Sequence, residues 1–408
     1  FDGALAGAEG LVVVVSQEDS EHIGAFSERV SAMLERFPLS TIVTVMHESA
    51  IKDDFAGTQY SRVIPISPYD FFKTSKLDYV LLLKCRAQFF DISPSDLFSM
   101  TTLGFTVFIR MTLNQRFLGV AFHGSVLSDS KYQKMLKKDS LYILGRETSA
   151  YLEYINTYFD TSGSSLRKRS RSLFLAICQT WLELSEYIVF DFKTAPEEAV
   201  QKHYQDLFSL AEQLLVLMES EEGLWDTFKD AIQNELFEKW RGPWIAVYAA
   251  YMSKKSQVGN PLDTFMAALF CDIGLFDISD QVAQKSLASG ESSLAEGEIT
   301  EYRKHPVLSL NRCLLKKVPL SEAVKAILVS VHERADGQGF PSQTPPELLP
   351  VEASLIRFAE MIDLGVRTTL KETGVGFRFL KEKTWEKEST NPGSFSKEFL
   401  DKIAESLI

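Results

Sequence analysis

The sequence has 408 residues, of which 55 are acidic and 43 basic, giving a formal net charge of −12. This length is typical of two or three domains, and 45% hydrophobic with 24% charged residues is a globular composition. The negative charge argues against a nucleic-acid-binding protein, because such proteins gain affinity by neutralising phosphates. No membrane span is expected, since every apolar run is far shorter than the ~20 residues that a spanning helix needs.

The cysteines predict a reduced, cytoplasmic protein. Cys85, Cys178, Cys271 and Cys313 lie far apart in the sequence and form no Cys-x-x-Cys pair. Cysteines in this arrangement are expected to pack as small core residues rather than to form disulfides.

The first 160 residues alternate short strand-like runs with helical patterns. A helix is predicted from Ser20 to about Arg36. Strands are predicted over residues 11–15, 41–46, 62–66, 78–83 and 106–110. These elements predict an N-terminal α/β domain over residues 1–160 with a regulatory or interaction role. A phosphoacceptor receiver domain is disfavoured, because Val15 is followed by Ser16 and Gln17 instead of an acidic pair.

The composition changes near residue 165. Residues 161–171 are rich in Ser, Gly and basic side chains, which predicts a linker. The basic cluster Arg167, Lys168, Arg169 and Arg171 could contact phosphates, but a solvated linker or helix start is favoured. Residues 172–408 are predicted to be helical almost throughout.

A long apolar stripe runs from Val200 to Met218 at helical spacing. Helices this apolar pack internally or on a partner, so a homodimer interface stays open as an alternative. His203 on this stripe is expected to be a core or helix-interface histidine rather than a metal ligand.

Asp272 follows a predicted helix that Asn260 caps and Gly274 ends. An anion at a helix C-terminus is disfavoured by the helix dipole unless a positive group lies nearby. The pattern therefore indicates a cation or basic partner beside Asp272, with a surface carboxylate as the alternative.

Two later segments combine histidines with a turn-rich loop. The first contains His305-Pro306, and the second runs from Val331-His332-Glu333 into the loop Asp336-Gly337-Gln338-Gly339-Phe340-Pro341. The isolated histidines His22, His47 and His123 have no comparable context, and no role is assigned to them.

Together, Asp272-Ile273-Gly274, His305-Pro306, His332-Glu333 and the loop 336–341 resemble the HD-GYP family of cyclic di-GMP phosphodiesterases, over roughly residues 172–390. The loop matches the family signature Asp-Gly-x-Gly-Tyr-Pro, with Phe340 in place of tyrosine. The resemblance implies an α+β protein, in which the N-terminal α/β domain is followed by an all-α HD-GYP-like helical bundle over residues 172–408. It also implies that Asp272, His305, His332 and Glu360 lie together at the centre of the bundle.

The resemblance further implies a site that has lost metal ligands. The family uses a two- or three-metal cluster that activates water and neutralises the phosphoryl group. Its motif His-Asp-x-Gly-Lys appears here as Cys271 to Leu275, and its His-His-Glu appears as Val331-His332-Glu333. The helix that normally brings a further histidine offers Trp-Arg-Gly-Pro-Trp at 240–244 instead, and Glu360 replaces a late aspartate.

The remnant Asp272, His305, His332, Glu360 and Cys271 is therefore expected to be a metal-free polar cluster. In this cluster a carboxylate and two imidazoles satisfy one another. A single bound divalent ion is the alternative.

Three functions follow from this interpretation. The favoured one is a catalytically inactive HD-GYP-like pseudo-enzyme in bacterial signalling, acting by contact with unidentified proteins. The alternatives are a cyclic di-GMP receptor, supported by Arg334, Arg357 and Arg367 near the motif loops, and a residual metal-dependent phosphodiesterase. The expected contact surfaces are the loop 337–341 and the stripe 200–218, although burial of Phe340 is favoured over its exposure.

Overall fold

The structure is a computed structural model. It describes residues 12–17, 21–36, 41–46, 63–66, 89–111, 116–160, 162–189, 197–218, 241–365, 377–390 and 393–404. These residues separate into two compact units, which divide between Leu182 and Glu183.

The N-terminal unit begins with a parallel sheet in the order β1-β2-β3. Its strands are β1 (Val12–Ser16), β2 (Thr41–Val45) and β3 (Val63–Ile66), and helix α1 (Ile23–Arg36) connects β1 to β2. Parallel neighbours need such a crossover connection. Three predicted strands and the predicted helix are thus found close to their expected bounds. The strand predicted over 78–83 lies outside the described residues.

A second, antiparallel sheet has the order β4-β7-β5-β6. Its strands are β4 (Phe89–Ile92), β5 (Val107–Met111), β6 (Arg116–Ala121) and β7 (Leu141–Leu144), accompanied by helices α2 (Asp129–Met135) and α3 (Thr148–Thr157). Of these strands only β5 is predicted from the sequence. The others were missed because they are short and do not alternate regularly between apolar and polar residues.

Helix α4 (Gly163–Val189) corrects the predicted linker over residues 161–171. The backbone N–H of Ser165 donates to the Ser162 hydroxyl at 3.3 Å, and the Ser162 N–H donates to Asp160. Ser and Asp before a helix satisfy its free N–H groups. The Ser/Gly run is therefore the start of a long helix.

The basic cluster of α4 is engaged within the N-terminal unit. The Arg171 guanidinium donates to the Asp91 carbonyl oxygen at 3.0 Å, and the Lys168 ammonium lies 4.0 Å from the centroid of the Phe98 ring. These two side chains hold α4 to the segment around β4, so a phosphate-binding role is not needed to explain them.

In the second unit, every regular element among the described residues is helical. The α-helices are α5 (Glu197–Met218), α6 (Arg241–Ser256), α7 (Pro261–Phe270), α8 (Asp280–Ser289), α9 (Glu296–Tyr302), α10 (His305–Leu315), α11 (Glu322–Ser330), α12 (Val351–Gly365), α13 (Phe377–Thr390) and α14 (Lys397–Ile403). Helix α6 is buried on nearly all sides and packs against α7 and α12. A helix that is apolar all round belongs at the centre of a bundle. The predicted α+β class with a helical second part is confirmed.

The apolar stripe of α5 packs internally. Val200, Leu207, Ala211, Leu214 and Met218 are all buried, and α5 contacts α6 and α7. His203 lies at the edge of this face, with its Nδ1 3.8 Å from a Glu183 carboxylate oxygen. The stripe therefore belongs to the core of the bundle.

No helix within the described ranges combines the length and the apolar character that a bilayer crossing needs.

One buried cation ties the end of α4 to the bundle. Arg312 on α10 is only 9% exposed and forms an ion pair with Asp277. Its Nη1 donates to the carbonyl oxygens of Ile188 and Val189 at 3.1 and 2.9 Å. These bonds satisfy carbonyls at the C-terminus of α4 that have no intrahelical partner.

Replacing Arg312 with alanine should therefore destabilise the helical unit by about 3 kcal/mol or more, because it strands Asp277 and two carbonyls. Denaturant unfolding measures the change. Lys317→Ala is the matched control, since Lys317 forms an exposed ion pair with Glu197 and exposed pairs contribute little to stability. Equal losses in the two variants would contradict this account of Arg312.

Candidate functional site

The predicted site residues converge at the centre of the helical unit from separate elements. Asp272 follows α7, His305 is the first residue of α10, and His332 comes just after α11. Glu360 lies on α12, and Arg241 is the first residue of α6.

Gly274 allows two of these elements to approach closely. A Cβ at this position would lie 2.1 Å from the carbonyl oxygen of His305 and 2.6 Å from the backbone nitrogen of Ser309. The Gly274 N–H donates to the Ser309 hydroxyl at 2.7 Å, and that hydroxyl donates to the Cys271 carbonyl at 2.7 Å. Only glycine fits here, and the contact fixes α10 against the turn that carries Asp272.

The two histidines contact each other directly. The Nε2 atoms of His305 and His332 are 2.9 Å apart, and both side chains are buried. Arg357 Nη1 lies 3.2 Å from Nδ1 of His332. Since arginine only donates, this Nδ1 accepts, and the His332 proton is placed on Nε2.

The same logic assigns the rest of the chain of hydrogen bonds. His332 Nε2–H donates to Nε2 of His305, and His305 Nδ1–H donates to the carbonyl oxygen of Tyr302 at 2.7 Å. Both imidazoles are then neutral, and neither keeps a free lone pair.

The electrostatic environment agrees with neutral imidazoles. Burial lowers the pKa of His305 well below its ordinary value of 6.5, and the neighbouring His332 lowers it further. The pKa of His332 is lowered by burial and then by the positive charges of Arg357 and Arg241.

The carboxylates of the site surround Arg241. Its guanidinium forms an ion pair with Asp272, and its Nε donates to Asp363 Oδ2 at 3.0 Å. Its Nη2 lies 3.5 Å from Oε1 of Glu360. The side chains of Glu360 and Asp363 are only 3% and 8% exposed, so these ion pairs are largely removed from water.

Arg241 is therefore a permanent cation. Burial lowers its pKa, but the carboxylates of Asp363 and Glu360 outweigh that effect, and the pKa lies above its ordinary value. The second arginine, Arg357, reaches the other oxygen of Glu360 at 3.3 Å. The expected basic partner of Asp272 is thus Arg241.

Cys271 adds a protonated thiol to the site. Its Sγ lies 3.9 Å from Oε1 of Glu360, and the side chain is buried. Burial and the neighbouring Glu360 carboxylate raise the pKa of this thiol. The thiolate, which is the form that binds metals, is disfavoured at neutral pH.

Apolar residues fill the positions where the family has a lysine and a signature tyrosine. Leu275 and Phe340 are buried in one hydrophobic cluster with Tyr302. The Phe340 ring stacks on His332 with the ring centroids 4.8 Å apart. Phe340 therefore packs against the bundle, and the position of Leu275 offers no cation.

Hydrogen bonds and glycine fix the signature loop. The Asp336 carboxylate pairs with Arg334 at 2.6 Å, and Gly337 has φ +72°. A Cβ on Gly339 would lie 2.4 Å from the Cα atom of Glu333. The buried Glu333 carboxylate accepts the N–H groups of Ser342 and Thr344 at 2.7 and 3.0 Å. These contacts fix the conformation of the loop 336–341, including Pro341.

A cleft of about 610 Å³ opens beside this loop. It combines apolar and basic side chains from α9, α10 and the residues around Phe340. Its lining residues include Arg303, Lys304, Val307, Leu308, Phe340 and Pro341.

The multi-metal cluster of the HD-GYP family does not fit this site. Cys271, Asp272 and Glu360 do offer ligand atoms within 4.8 Å of one another, which is a spacing suited to one ion. However, Asp272 and Glu360 are paired with Arg241. A divalent ion about 4 Å from a guanidinium would be repelled by about 8 kcal/mol at an effective dielectric constant of about 20.

The sequence interpretation missed the pairing inside the cluster. It expected a carboxylate to pair with two imidazoles, whereas the imidazoles hydrogen-bond to each other and the carboxylates pair with arginines. One imidazole does lie near a carboxylate, with Nδ1 of His332 3.8 Å from Oε2 of Glu360. The sequence did contain signals for both missed residues: Arg241 is a basic residue in the segment where the family has a histidine, and Asp363 is the last residue of the motif Ala359 to Asp363.

Arg367 and His47 lie outside the described residues, while His22 and His123 are exposed and distant in sequence from the motifs.

Comparisons with known proteins agree with this fold. Residues 197–368 match the family model described as HD domain. The solved structure described as "Bd1817, a HDG"Y"P protein from Bdellovibrio bacteriovorus" aligns with a TM-score of 0.51 at 18% sequence identity. The alignment covers 78% of this chain and 99% of that chain. No curated protein matches the chain by sequence.

Residues 197–368 of the helical unit therefore match an HD domain. The solved structure, at 18% identity, shows a similar fold.

The buried histidines predict an acid-sensitive fold. In the unfolded chain they bind protons near pH 6.5, whereas burial keeps them neutral in the folded protein. Unfolding then takes up protons, so stability falls as the pH drops below about 6.5, by about 1.4 kcal/mol per histidine at one unit below. Thermal unfolding from about pH 7.5 to 5.5 measures this loss.

His22→Gln should keep the full pH dependence, because His22 is exposed. The double variant His305→Gln/His332→Gln should lose most of it. A double variant with the same pH dependence as the unchanged protein would refute the assignment.

Proposed function

We propose that the chain is a catalytically inactive HD-GYP-like protein that acts in bacterial signalling by binding a protein partner. One observation carries this proposal. The residues at the family's metal-ligand positions are engaged with one another and with Arg241 and Arg357, so the imidazole nitrogens are hydrogen-bonded and the carboxylate charges are paired.

The chemistry of phosphodiester hydrolysis supports the same conclusion. The reaction needs a water of lowered pKa and a cation on the phosphoryl oxygens, which metal ions supply at a gain of several kcal/mol. The groups here that could hold such metal ions include a protonated thiol at Cys271 and two neutral imidazoles that hydrogen-bond to each other. Leu275 is packed in a hydrophobic cluster and cannot replace the lysine.

Helix α10 offers an apolar surface for a protein partner. Val307, Leu314 and Leu315 are 40%, 47% and 81% exposed. Val307 and Leu314 are seven residues apart and thus lie on the same face of the helix. Neighbouring exposed apolar side chains mark contact surfaces more often than isolated ones do. We call the side chains of Val307, Leu314 and Leu315 the α10 surface.

A cyclic di-GMP receptor that does not cleave its ligand is a second candidate. The cleft beside Phe340 has the size of a small-molecule site, and Arg303 and Lys304 give it positive charge in an acidic protein. Arg303 also pairs with Glu291 at 2.7 Å, which leaves Lys304 as the principal candidate for a phosphate contact.

The first prediction from this proposal is the absence of turnover. Incubation with cyclic di-GMP and either Mn²⁺ or Fe²⁺ should yield no hydrolysis product by chromatography, at the same level as Asp272→Ala. Turnover that disappears in Asp272→Ala would overturn the proposal.

Calorimetric titration of the same samples with cyclic di-GMP tests the receptor alternative. Binding that Lys304→Glu weakens at least tenfold and that Lys325→Glu leaves unchanged would favour a receptor.

The second prediction separates the surface from the remnant site. In a strain that lacks this protein, Leu314→Ser/Leu315→Ser should fail to restore the phenotype, because it removes exposed apolar contact area and leaves Val307, which also lines the cleft, unchanged. Leu348→Ser is the matched control, since Leu348 is 73% exposed and lies outside α10. His305→Gln/His332→Gln should restore the phenotype wherever circular dichroism shows a folded protein. The reverse pattern would favour a ligand-binding role for the remnant site.

A further inference from the structure

We propose that Arg241 is a built-in replacement for the metal ion of the HD-GYP centre, and that it excludes divalent cations from residues that could otherwise bind one. This inference goes beyond the proposed function, because it concerns which cation the centre holds rather than what the protein surface binds.

Arg241 supplies a positive charge that three carboxylates of the centre share. Asp272, Glu360 and Asp363 come from two separate parts of the chain, and all three carboxylates contact the one guanidinium of Arg241. The Arg241 side chain is only 19% exposed. Carboxylates that converge away from water need a cation close by, and a metal ion meets this need in many proteins. Here a side chain of the protein meets it.

Arg241 pairs with residues that offer ligand atoms for a metal ion. Cys271, Asp272 and Glu360 place a sulfur and two carboxylate oxygens within 4.8 Å of one another. Two of these three residues are partners of Arg241. If the Arg241 guanidinium is removed, Asp272 and Asp363 lose this ion pair and Glu360 keeps its contact with Arg357, while the spacing of the three ligand residues still suits a single ion.

The chemistry of these ligand atoms favours particular metal ions. One thiol and two carboxylates form a mixed sulfur and oxygen donor set, which suits Zn²⁺ or Co²⁺ better than Mg²⁺ or Ca²⁺.

The test is Co²⁺ binding to the full chain with Arg241→Met, a change that keeps most of the side-chain volume and removes the charge. The unchanged protein and Arg303→Met are the controls, since Arg303 is an exposed arginine whose ion pair is with Glu291. We expect Arg241→Met to bind about one Co²⁺ per chain, at least tenfold more tightly than either control. The bound ion should show a sulfur-to-cobalt charge-transfer absorption in the near ultraviolet.

Two further variants identify the ligands. Adding Cys271→Ser to Arg241→Met should abolish the charge-transfer absorption, and adding Glu360→Gln should weaken Co²⁺ binding at least tenfold. Arg241→Lys, which keeps a positive charge, should exclude Co²⁺ as the unchanged protein does.

Each outcome is decisive. If Arg241→Met folds only when Co²⁺ is added, the ion has taken the place of the guanidinium and the proposal is supported. The proposal is overturned if the unchanged protein binds Co²⁺ as tightly and with the same spectrum. It is also overturned if Co²⁺ neither binds to Arg241→Met nor restores its fold. Hydrolysis of cyclic di-GMP by the unchanged protein would overturn the proposed function and would leave this binding test to be judged separately.

Discussion

The ion pairs of Arg241 determine how the centre of the helical bundle is arranged. Asp272, Glu360 and Asp363 bring negative charge into a region that is largely removed from water, and such charge is tolerated only when a cation compensates it. A guanidinium and a metal ion both provide that compensation. They differ in chemistry, because a guanidinium donates hydrogen bonds but cannot coordinate a water and lower its pKa. The same fold can therefore keep its charge balance while its reactive centre changes.

The histidine pair follows the same principle of internal satisfaction. Arg357 donates to His332, His332 to His305, and His305 to the carbonyl of Tyr302, so every ring nitrogen has a partner. A fully satisfied buried network is stable, whereas the loss of one member leaves the others unpaired. Stacking of Phe340 on His332 closes one face of this pair. Two histidines at positions that bind metal ions in the family are thus hydrogen-bonded to each other and to neighbouring groups of the protein.

Much of this arrangement could be predicted from the sequence, and the rest could not for physical reasons. The helical unit was predictable because apolar residues recur at helical spacing over long segments. The position of Asp272 at a helix C-terminus also indicated a positive neighbour. The identity of that neighbour was not predictable, because Arg241 lies 31 residues earlier in the chain and only the packing of α6 brings it close. Strands β4, β6 and β7 were missed because their short sequences lack alternation. The start of α4 was missed because its capping serines and glycine also resemble a linker.

The most direct test of the account is a crystal structure of the unchanged protein grown with Mn²⁺ and measured for anomalous scattering. The account predicts no anomalous peak among Cys271, Asp272 and Glu360, and guanidinium density of Arg241 in contact with the two carboxylates. A manganese peak between those residues, with the Arg241 side chain displaced, would contradict it.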